Sequence, residues 1–593
     1  MLQRDITRHH GRGRHGSARL PSILVGLGLL CVLVLGCDHL GPDAQPSPVA
    51  ARPGVTLGED YLLPADMEPL PYTGYISHPT LTIAEGGSPQ KNWWVSWADL
   101  EPERGHYDWG LMDQKLALAE SQGYRISLHI QSITAGGGDP DLGIDVPNVV
   151  PAWVYEEFEL TDADLADLGW QFDLKVIPGW RPEIRAAFEE FLHAFGEAGY
   201  PAHHALGSAY VHGISPSRGE EFWLEDVNVQ LLESEHGFSP AVLQDWLSSR
   251  MDAYAAAFKD DAFKLAWVGN CGYWGNRGAE YGRVAQDLLD QAWALGMGNR
   301  TGSIERYNLW LNEPAYGQSV DQDGYLFTDE SIAPLRDERF FGEENEEYGD
   351  DWTWRFGSTD GDAQRYRFAM LRALQMQLRF LATSSAAESI NPELSEYARL
   401  SFGRTVFDSP DAWAYLRESP VSTLESGTGT VKNLERWLTQ RDHPGAVTVP
   451  AQEVSRAFAA GSTDPWDRTS YYDFIARRTD LDNGQTAMAF HLDDRFLAGR
   501  APQIKVEFLD QAATEWHLEY TDVDGRTAAT TAVLGQGDGR VKTATFLLED
   551  ARLSNGLDHG ADFRLICDGP NDLVVRWVRV LRTPAAMPSR GEG

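Results

Sequence analysis

Between about residues 90 and 402 the chain alternates short apolar runs with longer segments whose apolar residues recur at helical spacing. This alternation is its strongest constraint. A strand followed by a helix crosses over to pair in parallel with the next strand, so repeated units build a parallel sheet sheathed in helices. The spacing predicts strands at 92–97, 124–130, 206–214, 263–269, 303–311, 339–342 and 378–383. Helices are expected at 111–122, 182–198, 241–258, 281–295, 362–377 and 392–402. The clearest of them carries Ile184, Phe188, Phe191, Leu192 and Phe195 along one face. With a first strand near 75–83, eight strand–helix units fill residues 71–423, the length of a (β/α)8 TIM barrel with long loops. The fold class is therefore α/β.

After Thr423 the pattern changes to period-two alternation, as in Ile504-Lys505-Val506-Glu507-Phe508 and Leu573-Val574-Val575-Arg576-Trp577-Val578, with turn signals at 482–484 and 538–539. Residues 424–585 are read as an all-β sandwich and 586–593 as a tail. Hydrophobic residues at 42% and charged residues at 23% are ordinary for a globular protein. The net charge of −38 argues against nucleic acid, whose phosphates need clustered cations.

The amino terminus reads as an address. Arg4, Arg8, Arg12, Arg14 and Arg19 precede an uncharged apolar run, 23–36, that is too short to span a bilayer comfortably. The Leu35-Gly36-Cys37 sequence at its end resembles a bacterial lipoprotein box, which implies export, lipidation of Cys37 and a membrane anchor in the cell envelope. Residues 1–37 are then a signal peptide and 38–70 a flexible tether. Cys271 and Cys567 remain for the folded part, at a spacing that matches no zinc or redox motif. No cofactor, metal motif or obligate protein partner is implied.

The segment Trp97-Ala98-Asp99-Leu100-Glu101-Pro102-Glu103-Arg104-Gly105-His106-Tyr107-Asp108-Trp109 resembles the second βα unit of clan A glycoside hydrolases, the group that includes many β-galactosidases. That resemblance implies a carbohydrate substrate and retaining hydrolysis, with an acid/base carboxylate after strand four and a nucleophilic carboxylate after strand seven. Counting strands puts the acid/base at Glu220, with Glu221 next to it, and the nucleophile at Glu344, with Glu343 as second choice. The chain lacks the family's usual Asn-Glu at strand four. Asn312-Glu313-Pro314 looks like that motif but follows strand six; if Glu313 were the acid, Glu388 would become the nucleophile.

Trp94, His129, Gln131, Trp153, His212, Asn270, Tyr273, Trp274, Glu305, Tyr307, Trp352 and Trp354 lie in or just beyond expected strands, where aromatic faces and polar side chains can bind sugars. Two other classes stay open: a non-catalytic surface glycan-binding lipoprotein, and a polysaccharide lyase.

Overall fold

The computed structural model describes residues 53–64, 67–77, 89–139, 144–168, 174–214, 224, 226–269, 277–304, 317–329, 337–350, 361–419, 431–451 and 476–583, and residues 50–593 form one compact unit. Eight parallel strands close a barrel in chain order: Gly74–Ser77, Gln90–Ser96, Arg125–Gln131, Leu206–Val211, Leu265–Val268, Gly298–Ser303, Phe341–Asn345 and Phe380–Thr383. The eighth pairs with the first, Phe380 to Gly74 and Thr383 to Ser77.

Helices Trp109–Gln122, Pro182–Glu197, Pro240–Phe258, Ala279–Ala294, Asp362–Gln375 and Pro392–Ser401 cover the strands. Their starts follow local chemistry. Asp108, Ser239 and Asn391 cap three of them by accepting from Gly110, Val242 and Leu394 amides, and Pro240 and Pro392 occupy first-turn positions where no amide hydrogen is needed. Ile184, Phe188, Phe191, Leu192 and Phe195 all point into the core, as their spacing requires.

The Trp97–Trp109 segment is a structural brace. Ser96 and Asp99 form a reciprocal cap on the helix Trp97–Leu100. The buried Glu101 carboxylate accepts from the Trp97 indole at 2.7 Å and from the Gly105 amide at 2.8 Å, while burial pushes its pKa up. These bonds fold the loop back so that Asp108 can start the next helix.

Strand six differs from expectation: it is Gly298–Ser303, not 303–311, and residues 305–316 lie outside the described residues. A Cβ on Gly298 would stand 1.5 Å from the Phe340 carbonyl oxygen, so strands six and seven meet there only because glycine has no side chain. The register then shifts between Arg300 and Ser303, with Gly302 at φ +151°.

The C-terminal region is a sandwich of two antiparallel sheets. One runs Gly54–Leu57, Val541–Leu547, Pro502–Leu509, Val574–Arg582, Asp411–Ser419, Val431–Arg436, joined by Val449–Ala451 and Ala476–Arg478. The other runs Leu438–Arg441, Ala487–Leu492, Phe563–Gly569, Glu515–Thr521, Thr527–Ala529, joined by Val533–Leu534. Ile504, Val506, Phe546 and Val578 from the first pack with Met488, Phe490, Trp516 and Leu565 from the second. Cys567 is a buried free thiol in this core.

Two boundaries are corrected. Residues 54–57, assigned to the tether, form a strand paired antiparallel with 542–545. Asp411–Ser419, assigned to the barrel, belongs to the sandwich, so the domain change falls near residue 403. Neither strand shows period-two alternation: Gly54–Leu57 is a short edge strand exposed throughout, and Asp411–Ser419, paired on both sides, is buried from 411 to 417. Cys37 and residues 586–593 lie outside the described residues. No helix among the described residues is long and apolar enough to cross a membrane.

A buried polar seam joins barrel and sandwich. Arg579 donates to Asp411 at 2.7 Å, Tyr397 from the barrel helix donates to the same carboxylate at 3.0 Å, and Arg579 and Asp411 are both fully enclosed. Glu59 pairs with Arg367 of the barrel and Arg576 of the sandwich, and Asp60 pairs with Lys505. Removing one partner of such a pair leaves a charge uncompensated. Asp411→Ala is expected to lower stability by about 3–5 kcal/mol, whereas Arg526→Ala, which removes an exposed pair with Asp524, should change it by less than about 0.5 kcal/mol. Denaturant midpoints of the two variants check this.

Candidate active site

Strand phase decides what faces the barrel interior. Ile76, Tyr210, Ala266, Val268, Phe340, Phe380 and Ala382 pack together inside, whereas Phe341 and Leu381 join the larger core between strands and helices. Strand seven continues through both candidate glutamates, and side chains alternate along it. Glu344, in the phase of Phe340, therefore faces inward, and Glu343, in the phase of Phe341, faces outward.

The two glutamates have different partners. Glu344 is ion-paired with Arg300, whose register partner is Gly342 on the inward phase. Glu343 accepts from the Gly302 amide at 2.7 Å, bracing the irregular end of strand six. The Glu-Glu-Asn-Glu-Glu run is not a solvated charge run: Glu343 and Glu347 are 5% and 2% exposed, and the Glu344 side chain is 16% exposed.

Arg300 links Glu344 to a cluster of rings. Its guanidinium lies over Tyr210 at 5.4 Å; Tyr210 meets His129 edge-on at 4.2 Å; His129 contacts His212 at 5.4 Å and stacks on Trp94 at 4.9 Å. Trp94 is half-buried, while both histidines are enclosed. Trp94, His129, Tyr210 and Glu344 occupy the later parts of strands two, three, four and seven, His212 follows strand four directly and Arg300 sits midway along strand six, toward the end where barrels of this kind assemble sites. Deeper in the barrel, Ser208 Oγ lies 2.9 Å from both Gln90 Oε1 and Ser127 Oγ, tying strands two, three and four together.

His129 Nε2 is 3.0 Å from Asn92 Oδ1, so Nε2 holds the proton and donates. Burial first, then the neighbouring His212 and Arg300, push its pKa well below the ordinary 6.5. The His212 carbonyl accepts from Arg250 at 3.1 Å, which anchors the end of strand four.

Beyond Glu344 the chain is held by helix Asp362–Gln375. Arg365 donates to the Glu347 carbonyl at 3.1 Å and to Asp362 at 2.6 Å, Asp362 accepts from the Gly349 amide at 2.8 Å, and Ser384 donates to the Glu346 carbonyl at 3.0 Å. Tyr348 closes the turn by donating to Asn345 Oδ1. These bonds limit how far Glu344 can swing.

Trp94, His129, His212 and Glu344 thus come together through Tyr210 and Arg300, two residues absent from the sequence expectation. Arg300 escaped notice because Gly298-Asn299-Arg300-Thr301-Gly302-Ser303 has no apolar alternation; Tyr210 had a visible signal, being two residues before His212 on the same phase. Trp153 does not join the cluster. Its indole donates to the Glu101 carbonyl at 3.1 Å and its ring packs edge-on against Trp97 at 5.5 Å, because its helix lies on the brace after strand two. Glu220, Glu221, Asn270, Tyr273, Trp274, Glu305, Tyr307, Glu313, Trp352 and Trp354 lie outside the described residues. Glu388 sits on the short helix Ser385–Ile390 after strand eight, and the observed strand order keeps Phe341–Asn345 as strand seven.

No protein-family model and no curated protein matches the chain. Among solved structures it is similar to the catalytic domain of a β-amylase from Paenibacillus polymyxa, at 12% identity and TM-score 0.33, over 55% of this chain and 97% of that one. It is also similar to an exo-β-1,4-mannosidase from Opitutaceae bacterium strain TAV5, at 11% and 0.29, over 50% and 45%. A β-galactosidase from Marinomonas ef1 matches at 11% and 0.31, over 53% and 55%. Likenesses this distant carry no argument about chemistry, and the closed barrel itself establishes the fold.

The depressed His129 pKa has a sign that can be tested. The unfolded chain binds a proton near pH 6.5 that the folded ring refuses, so this contribution is fully present above that pH and is lost as pH falls through it toward the lower folded value. Stability should therefore drop between pH 7 and 5, and the drop should be shallower in His129→Asn, measured as denaturant midpoints across that range.

Proposed function

We propose that the chain is a retaining glycoside hydrolase acting on poly- or oligosaccharides, with galactan-type substrates favoured. The single observation that supports it best is the inward-facing Glu344 near the carboxyl end of strand seven, paired with Arg300 beside His129, His212 and Trp94. A nucleophilic carboxylate must stay ionised, and an adjacent guanidinium favours the charged form.

In this reading a Glu344 carboxylate oxygen bonds to the anomeric carbon as the glycosidic oxygen leaves with a proton from the acid, Glu220 or Glu221. The product is a glycosyl ester. A water then gives its proton to the same acid, now a base, and its oxygen displaces Glu344 to release the sugar with its configuration retained. The two carboxyls should stand about 5 Å apart. Half-buried Trp94, stacked on His129 by one face, has some ring surface left for a sugar.

The test is a panel of galactans, agars, carrageenans, mannans and xylans incubated with residues 50–593, with products followed by mass spectrometry and proton NMR. Hydrolysed products whose first-formed anomer matches the substrate's support the reading, and Glu344→Gln should lower the rate on the order of 10³-fold or more. Normal turnover by Glu344→Gln would remove the assignment. Unsaturated products would mean a lyase, and glycans bound but left intact would mean a binding protein.

Export with lipidation at Cys37 completes the proposal. The full chain expressed in a bacterium should partition with membranes, and Cys37→Ser should not.

A further inference from the structure

Away from the active site, three side chains from two elements converge near the amino-terminal ends of strands three and four. Glu120 projects from the last turns of helix Trp109–Gln122, and His203 and His204 lie on the link that enters strand four. Glu120 Oε1 is 3.1 Å from His204 Nε2 and 3.5 Å from His203 Nε2, and one ligand atom from each of the three lies within 4.8 Å of the others. The imidazoles are parallel, with centroids 5.0 Å apart.

We propose that Glu120, His203 and His204 form a divalent transition-metal site of the zinc type, structural in role. Two imidazole nitrogens and a carboxylate oxygen are a common borderline-soft donor set for such ions. With metal–ligand bonds of about 2.0–2.1 Å, tetrahedral donors stand about 3.4 Å apart, and the two carboxylate–imidazole separations already bracket that figure. Small side-chain rotations bring the third edge in, and water completes the shell.

The backbone of the site is held in advance. The Lys264 ammonium donates to the Pro201 carbonyl at 2.8 Å and sits 3.5 Å from that of His203, while Arg125 donates to the His204 carbonyl at 3.3 Å. A rigid donor set loses less freedom on binding a metal. The site also lies at a helix carboxyl end, where the helix dipole favours positive charge. His203 is the weaker ligand: its Nδ1 accepts from the Ala205 amide at 3.2 Å, and a metal on Nε2 requires the ring proton to move to Nδ1, giving up that bond.

Bound metal would clip helix Trp109–Gln122 to the entry of strand four, at the end of the barrel opposite Glu344. It would stabilise the fold without taking part in hydrolysis. Binding to the native state alone raises the melting temperature.

The experiment is titration of the full chain with ZnCl2, read by isothermal calorimetry and thermal unfolding. His9, His10 and His15 near the amino terminus are a second possible zinc ligand set, so a His9/His10/His15→Ala background isolates the site. In that background one equivalent of Zn2+ should bind and raise the melting temperature. His204→Ala and Glu120→Gln should each weaken binding at least tenfold and abolish the thermal shift, His203→Ala should weaken it less than His204→Ala, and exposed His106→Ala should change nothing. No binding, or equal binding and equal thermal shifts in His204→Ala, Glu120→Gln and the background, would overturn the proposal whether or not the chain hydrolyses glycans.

Discussion

The pairing of Phe380–Thr383 with Gly74–Ser77 is the contact on which the rest of the molecule depends. Without it the parallel sheet has two open edges, and its inward and outward phases have no common centre. Once the barrel closes, every strand has one interior phase. On strand seven that phase selects Glu344 for the interior and sends Glu343 to brace the Gly302 amide. A shift of one residue in that register would exchange the two carboxylates.

The same closure explains why the sandwich is part of the scaffold. The chain begins its described structure as a sandwich strand at Gly54–Leu57, enters the barrel through Glu59 and Asp60, and returns to the sandwich at Asp411. Each crossing buries charge: Glu59 reaches Arg367 of the barrel and Arg576 of the sandwich, while the Asp411–Arg579 pair lies within the sandwich and meets the barrel through the Tyr397 hydroxyl. Barrel and sandwich are therefore joined by specific pairing as well as by apolar contact, so strain at Tyr397 or Arg367 reaches the barrel helices directly.

Much of this was legible in the sequence where a single physical rule operates. The Pro182 helix announces itself through five apolar residues on one face, and strand three through a run from Tyr124 to Ile130. Strand six does not, because its shape depends on a backbone approach at Gly298 that only the folded neighbour Phe340 makes visible. With strand six displaced, Arg300 could not be connected to Glu344. The Trp97–Trp109 segment was visible as a motif, but that Glu101 serves the Trp97 indole and Gly105 amide emerges only from the three-dimensional arrangement. The edge strand at Gly54–Leu57 shows the same limit, since its partner lies 485 or more residues away.

The central claim is that Glu344 makes the covalent bond to sugar. Its most direct test is to treat the protein with a panel of 2-deoxy-2-fluoroglycosyl fluorides, galactosyl first, and map any adduct by peptide mass spectrometry. The electron-withdrawing fluorine slows breakdown of the ester, fluoride leaves, and the glycosyl group stays on the nucleophile. The account predicts one glycosyl mass on the peptide containing Glu344, absent in Glu344→Gln. An adduct on Glu343, Glu388 or Glu313, or hydrolysis that proceeds with inversion, would contradict it.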